Sequence, residues 1–263
     1  MICCRGSERR QMPKRDQVET SELDFVLLTA TEGEQALLRD SLDRKRHESV
    51  GHRQVVLGQI GDKRLALVTT GIGLVNTAQA LTAMLETRTV RRVIQLGIGG
   101  AYPSSCLHLG DVAVATQEIA AEYGVVDDDG WSGGDTIGIP LIESEPPTYN
   151  HIHLDKTFGK DALRAAQSLA DDADYAVASG PFVTVQTVTG SEAQAKCLGE
   201  RFSALCENME GAASAHVCAI YDVPLAEIRG ISNIVEKRDL SRWNIPLATT
   251  RAQQTALELI TRS

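Results

Sequence analysis

Three polar side chains at the ends of apolar stretches carry the chemistry that can be read from this sequence. Glu210 follows Met209 after a short apolar run, Leu205-Cys206, and precedes the small residues Gly211-Ala212-Ala213-Ser214-Ala215. A carboxylate there can accept two hydrogen bonds, and the methionine beside it offers an apolar wall. Asn233 closes the apolar stretch Leu225 to Ile231, directly after Ser232. Its amide can donate or accept, but it cannot transfer a proton at neutral pH. Glu34 belongs to the acidic cluster Thr31-Glu32-Gly33-Glu34 behind a third apolar stretch. Such a cluster complements a helix dipole by itself, and a carboxylate placed at a strand end can also serve as a general base.

The elements that must position these groups alternate between strand and helix. Asp24 to Ala30 reads as a first strand, and Gln35 to Leu42 as a helix. Val55 to Ile60 and Arg64 to Thr70 flank Gly61-Asp62 and predict a hairpin. Gly71-Ile72-Gly73 opens a helix from Val75 to about Glu86; such a turn can cradle an anion, but by itself it favours close packing. It is not GxGxxG, since Asn76 stands where the third glycine belongs. Arg92 to Leu96 predicts a strand that stops at a second Gly-rich turn, Gly97-Ile98-Gly99-Gly100-Ala101. Further strands are expected over Gly110 to Glu118, Ala176 to Ser179, Phe182 to Thr187 and Leu225 to Ile231. Helices are expected over Asp161 to Ala170, Ser191 to Phe202, Gly211 to Ile220 and Pro246 to Thr261. This order predicts an α/β fold, a single domain with a mixed, largely parallel central sheet flanked by helices. Ligands of open α/β sheets lie at strand ends, where Glu34, Glu210 and Asn233 fall.

Met209-Glu210 and Ser232-Asn233, with the Gly-rich turns upstream, resemble the nucleoside phosphorylase and nucleosidase superfamily from about Asp24 to the C-terminus. The pattern is similar to the methylthioadenosine/S-adenosylhomocysteine nucleosidase branch. Asn233, followed by Arg238-Asp239 and Trp243, most resembles the futalosine hydrolases of menaquinone biosynthesis. The resemblance implies a nucleoside phosphorylase-like fold and cleavage of an N-glycosidic bond through an oxocarbenium-like sugar. It implies catalytic roles for Glu34, which activates water, and for Asn233, which donates to N7 or O6 of the base. It places Met209 and Glu210 at the ribose, sets the Gly71-Ile72-Gly73 turn at the border of the sugar, counts Gly97, Ile98 and Gly99 among the substrate-binding residues, and puts Thr187 and Val188 at the purine. It implies no cofactor and no metal. Phosphorylases of this superfamily hold phosphate with an arginine and hydroxyls around the second Gly-rich turn. Gln95 to Ala101 contains no Arg, Ser or Thr, which favours water as the nucleophile.

The adenine-releasing relatives carry an aspartic acid where this chain has Asn233. An amide donor suits a 6-oxopurine, so the resemblance implies hypoxanthine release from futalosine. It leaves open what protonates the base, with water and Asp239 as candidates. The alternatives are adenine release from methylthioadenosine, S-adenosylhomocysteine or aminodeoxyfutalosine, and a non-catalytic nucleoside-binding module. Glu34 discriminates the last, because a pure binder has no need of a carboxylate at C1′.

The rest of the chain bounds these readings. Its 263 residues suffice for one α/β domain, with residues 1–22 expected as a disordered extension and residues 23–263 as the hydrolase domain. The first residues are basic and lack the apolar centre of a signal peptide, and Met12 is an alternative start. A net charge of -9 argues against a nucleic-acid surface. No apolar run reaches the roughly 18 residues of a membrane helix. The resemblance implies a small nucleoside as the partner; no nucleic acid and no membrane are expected, and the expected location is the cytoplasm. Six cysteines without a CxxC pair are expected as reduced, largely buried thiols. His151 and His153 lack metal-ligand partners at suitable spacing. The loop Asp127 to Leu141, with Trp131, Ile137 and Ile139, is expected to wall a pocket. The resemblance also implies a homodimer or higher homo-oligomer.

Overall fold

The structure is a computed structural model that describes residues 22–263. The expected N-terminal extension lies outside the described residues but for its last position. In chain order the elements are β1 (Leu23–Thr29), α1 (Ala36–Ser41), β2 (Asp43–Val50), β3 (Arg53–Ile60), β4 (Lys63–Thr69) and α2 (Leu74–Thr87). Then follow β5 (Val90–Ala101), β6 (Val112–Ala120), β7 (Gly124–Asp127), β8 (Gly130–Gly133), β9 (His151–His153) and α3 (Lys156–Ala170). The last six are β10 (Val177–Thr184), α4 (Glu192–Phe202), β11 (Cys206–Asn208), α5 (Gly211–Tyr221), β12 (Leu225–Ile234) and α6 (Ile245–Arg262).

One mixed sheet runs β11-β10-β6-β12-β5-β1-β4-β3-β2, with β9 added on β6. The expected single α/β domain is therefore what the chain forms. β1 is parallel to both neighbours, β4 and β5, and is buried on both faces, which explains its unbroken apolar sequence. Val26 and Leu28 face one apolar layer, which α2 and α5 cover through Leu81, Met84 and Val217. Phe25 and Leu27 face the other, which α3 and α6 cover through Phe158, Ala256 and Leu259. No described helix is long and apolar enough to cross a membrane.

Three local expectations change. The Gly-rich segment Gly97 to Ala101 is not a turn but the last part of β5. Gly100 and Ala101 pair with Asn233 and Ile234 on β12, and with Glu207 and Cys206 on β11. The glycines are there for closeness, since a Cβ on Gly99 would lie 2.3 Å from Cys206 Sγ. The pairing of β11 with both β10 and β5 closes β5, β12, β6, β10 and β11 into a ring. Second, the two strands expected around Gly180-Pro181 are one, β10, with a register shift at that pair. Third, β2 was not anticipated, because Asp43–Val50 is a polar, mostly exposed edge strand with no apolar alternation to reveal it.

Helix α6 locks against the sheet where the site begins. Its Gln253 Oε1 accepts from Leu37 N at 2.8 Å and Leu38 N at 3.3 Å, fixing α1 just after Glu34. Gly230 on β12 lets α6 approach, since a Cβ there would lie 2.0 Å from Ala248 O. Gly230→Ala should cost about 1–3 kcal/mol by overpacking against a backbone that cannot yield cheaply. Urea unfolding measures this, and an unchanged midpoint would show that the helix shifts freely.

Candidate active site

A cleft of about 560 Å³ opens over the C-terminal ends of β1 and β12 and the last residues of β5. Glu34 enters from the short 3-10 turn Gly33–Gln35 that follows β1 and is only 7% exposed. Its Oε2 accepts from Thr31 N at 3.0 Å and Thr31 Oγ1 at 2.9 Å, and its Oε1 accepts from Ile98 N at 3.0 Å. Gly97 does not line the cleft but makes room beneath it. A Cβ there would sit 2.5 Å from Glu34 Oε1 and 3.1 Å from Arg229 Nη1. Ile98 and Gly99 do line it.

Arg229, in the middle of β12, is 1% exposed. Its Nε and Nη2 each lie 2.9 Å from Glu227 Oε1. Nη1 donates to Ile98 O at 3.2 Å and lies 3.3 Å from Glu210 Oε2, while Nη2 donates to Asn208 Oδ1 at 3.3 Å. Burial works against its charge, but the carboxylates of Glu227, Glu210 and Glu34 outweigh burial and raise its pKa above the ordinary value. Sequence reasoning missed Arg229 by reading Leu225 to Ile231 only as a buried strand. The signal was present: Glu227 and Arg229, two charges inside an apolar strand, require a paired interior.

Glu210 stands at the N-terminus of α5, and Met209 lines the cleft beside it. Glu210 Oε1 accepts from Gly73 N at 3.0 Å. Gly73 has φ 92°, a conformation that favours glycine, so the first Gly-rich turn does cradle an anion, and the anion is Glu210 itself. Between the carboxylates of Glu34 and Glu210 lies the guanidinium face of Arg229. This set can accept hydrogen bonds from a diol or a water and can stabilise charge that develops between them.

The far end of the cleft carries the amide and the apolar wall. Asn233 is half-buried, with Ser232 Oγ 2.8 Å from its Oδ1 and its Nδ2 donating to Ile234 O at 3.0 Å. Val188 lines the cleft on a loop fastened by Glu207. Glu207 accepts from Thr189 N at 3.0 Å, Thr189 Oγ1 at 2.5 Å and Tyr102 Oη at 2.9 Å. Trp243 and Ile245, from the start of α6 and the segment before it, add apolar surface.

Some expected residues fall elsewhere. Thr187 is exposed and does not line the cleft, because its N–H is tied to Glu122 Oε1 at 3.0 Å. Trp131 packs edge-on to Phe202, 5.5 Å between centroids, and Ile137 and Ile139 are exposed. The segment Asp127 to Leu141 therefore does not wall this cleft within the chain. Asp239 caps a turn through Ser241, and those hydrogen bonds lower its pKa, so it is poorly suited to give a proton. Cys206 and Cys218 are buried free thiols, but Cys106 and Cys197 are exposed. Among the described residues no group of three or more His, Cys, Asp or Glu side chains could hold a metal ion.

Arg229→Met should leave Glu227 and Glu210 buried beside no counter-charge. The expected loss is about 3–5 kcal/mol of folding stability, read by urea unfolding. A variant as stable as the parent would remove Arg229 from this role.

Comparison with known proteins places this arrangement. Residues 24–262 match the family model described as Phosphorylase superfamily. Futalosine hydrolase of Thermus thermophilus is 32% identical over 175 residues, 66% of this chain and 71% of that protein. A 5'-methylthioadenosine/S-adenosylhomocysteine nucleosidase of Geobacillus sp. is 26% identical over 216 residues, 82% of this chain and 87% of that protein. Among solved structures, the corresponding nucleosidase of Neisseria meningitidis, in complex with methylthio-immucillin-A, superposes with a TM-score of 0.78. That match covers 91% of this chain and 99% of the other at 22% identity, a likeness of fold. With a family match running almost from β1 to the end of α6, the chain belongs to the phosphorylase superfamily.

Proposed function

We propose that this chain hydrolyses futalosine, releasing hypoxanthine and dehypoxanthine futalosine in menaquinone biosynthesis. The chain is an N-glycosidic hydrolase, a nucleosidase, as its relatives are. In the proposed mechanism the ribose hydroxyls donate to Glu210, whose carboxylate Gly73 N–H and Arg229 hold in place. Met209 packs on the sugar. Water sits between Glu34 and Arg229 and attacks C1′ as the glycosidic bond lengthens, with Glu34 taking its proton. Phosphate is a poor alternative nucleophile. Of the two cations that line the cleft, Arg229 already faces Glu227, Glu210 and Glu34, and Arg238 stacks on Trp243, so a dianion would meet more carboxylates than cations there.

The observation that carries the substrate assignment is Asn233 at the base end. With Ser232 Oγ at its Oδ1, the amide is oriented to offer Nδ2 as a donor. A donor matches N7 or O6 of a 6-oxopurine, whereas adenine presents an amino group that needs an acceptor. Sites that hydrogen-bond a specific edge discriminate because a mismatch leaves buried polar groups unpaired. A second reading, adenine release from methylthioadenosine or S-adenosylhomocysteine, draws support from the longer matches to those nucleosidases, 82% of the chain against 66%. A cytoplasmic, homo-oligomeric enzyme belongs to the same proposal, and fractionation with light scattering reads both properties.

The deciding experiment incubates the purified protein with futalosine, aminodeoxyfutalosine, methylthioadenosine and inosine, with and without phosphate, and identifies the free base. Hypoxanthine from futalosine should dominate, and phosphate should neither accelerate the reaction nor enter the product. Adenine release at an equal or higher rate returns the chain to the second reading. Asn233→Asp should lower kcat/KM on futalosine and raise it on the 6-amino substrate, and an unchanged ratio would dissociate Asn233 from base choice.

Glu34→Gln should bind nucleoside and lose roughly 10²–10⁴-fold in turnover, the usual worth of a general base. Near-normal kcat in that variant would remove Glu34 from the mechanism.

A further inference from the structure

Beneath the cleft, the closed ring of strands encloses two carboxyl groups that the mechanism does not use. Glu118 on β6 and Glu227 on β12 are both 0% exposed. Val114 on β6 faces the α3 layer, yet Glu118 meets α5 on the other side. The pairing of β6 with β10 skips Thr116, and this extra residue moves Glu118 across the sheet.

Glu118 Oε1 accepts from Asn208 Nδ2 at 2.7 Å, and its Oε2 accepts from Thr184 Oγ1 at 2.6 Å. Glu227 Oε1 is taken by Arg229 at 2.9 Å. Its other oxygen, Oε2, is buried and meets no amide, hydroxyl or guanidinium donor. The carboxyl groups come together over the bare Cα of Gly211. A Cβ there would lie 2.1 Å from Glu118 Oε1 and 2.4 Å from Glu227 Oε2. Two ionised carboxylates in such contact, away from water, repel strongly, and one proton between them removes the conflict.

We propose that Glu118 and Glu227 share one proton, and that this protonated pair positions Glu210 through both of its attachments. The backbone attachment runs through Asn208. Glu118 takes the Asn208 Nδ2 group, which fixes Oδ1 to accept from Glu210 N at 2.9 Å and Gly211 N at 2.7 Å. The side-chain attachment runs through Arg229, which bridges Glu227 Oε1 to Glu210 Oε2. With the proton in place the pair carries one negative charge against the guanidinium. Loss of the proton adds a second, which drives the carboxylates apart and draws Arg229 away from Glu210. Arginine does not release a proton, so the pair acts by position and not as a relay.

Burial, then the Glu227 charge, raises the pKa of Glu118 well above the carboxylate range, with Thr184 and Arg229 opposing. The proton is therefore held to higher pH than an ordinary carboxyl group holds it, and is lost as pH rises. The other titratable or charged groups facing the pair are Arg229 on β12, Glu210 at the start of α5 and Glu34 beyond them. Cys206 and Glu207 on β11 and Tyr102 after β5 lie next to the pair, while His151 and His153 on β9 flank Ile152, the residue paired with Glu118, and are exposed, and His216 on α5 is half-buried. Burial raises the pKa of Tyr102 and Cys206, and it lowers those of His151 and His216, which are neutral on the alkaline side.

Infrared spectroscopy of the parent protein at neutral pH should show the C=O band of a buried protonated carboxyl, absent in Glu118→Gln. That band needs no substrate, so it tests the pair apart from the futalosine assignment on which the role of Glu210 rests. Kinetics then use whichever nucleoside the parent cleaves. Glu118→Ala should raise KM and lower kcat/KM roughly 10–100-fold, the worth of hydrogen bonds to a charged group. Glu118→Gln, which can hold no shared proton, should abolish the alkaline fall in kcat/KM, but its amide cannot both donate to Glu227 Oε2 and accept from Asn208 Nδ2, so part of the loss should remain. Absence of the carboxyl band from the folded parent overturns the proposal even if a variant fails to fold. An alkaline limb that survives in Glu118→Gln overturns it equally.

Discussion

A guanidinium with 1% exposure, held among the carboxylates of Glu227, Glu210 and Glu34, is the interaction on which the rest of this structure depends. A charge in that position costs several kcal/mol of desolvation unless every donor finds an acceptor. Arg229 finds them on β12, β5, β11 and the start of α5. The closed ring of strands is what lets one side chain reach all of them. An open sheet would set β11 far from β5 and leave part of the guanidinium without partners.

The same requirement explains where side chains are missing. Gly97, Gly99 and Gly211 each stand where a Cβ would fall within 2.5 Å of Glu34, Cys206 or the Glu118 and Glu227 carboxyl groups. Bare backbone is the only surface that allows so many polar groups to meet at hydrogen-bond distance. The glycines that a sequence reader assigns to loops therefore serve here as spacers within a strand and at a helix start.

The charges are also oriented before any substrate arrives. Glu34 is held by three donors and Glu210 by Gly73 N–H and Arg229, so neither carboxylate needs to reorganise to meet positive charge in the space between them. The other end of the cleft is different in kind. Asn233 and Val188 meet the cleft from a strand end and a loop, and the loop owes its place to the hydrogen bonds of Glu207. The end at Glu34 and Glu210 is rigid because its charges are buried and matched. The end at Asn233 has fewer fixed contacts, so residue changes there cost the fold little.

The sequence by itself determined most of the strand and helix order, the α/β class and the placing of Glu34, Met209, Glu210 and Asn233 at element ends. These were legible because period and punctuation are local properties, and because the motif residues sit at element ends. It did not determine that β5 runs on through Gly97 to Ala101, since local preference cannot register partners on both sides. It did not reveal the edge strand β2, which has no buried face to pattern its residues. It placed Thr187 at the base, where tertiary contact ties that backbone to Glu122 instead. Above all, Arg229, Glu227 and Glu118 looked like charges stranded in apolar strands. Only the closed ring and the shift at Thr116 bring them together, because pairing of buried charges is settled by distances between strands far apart in the chain.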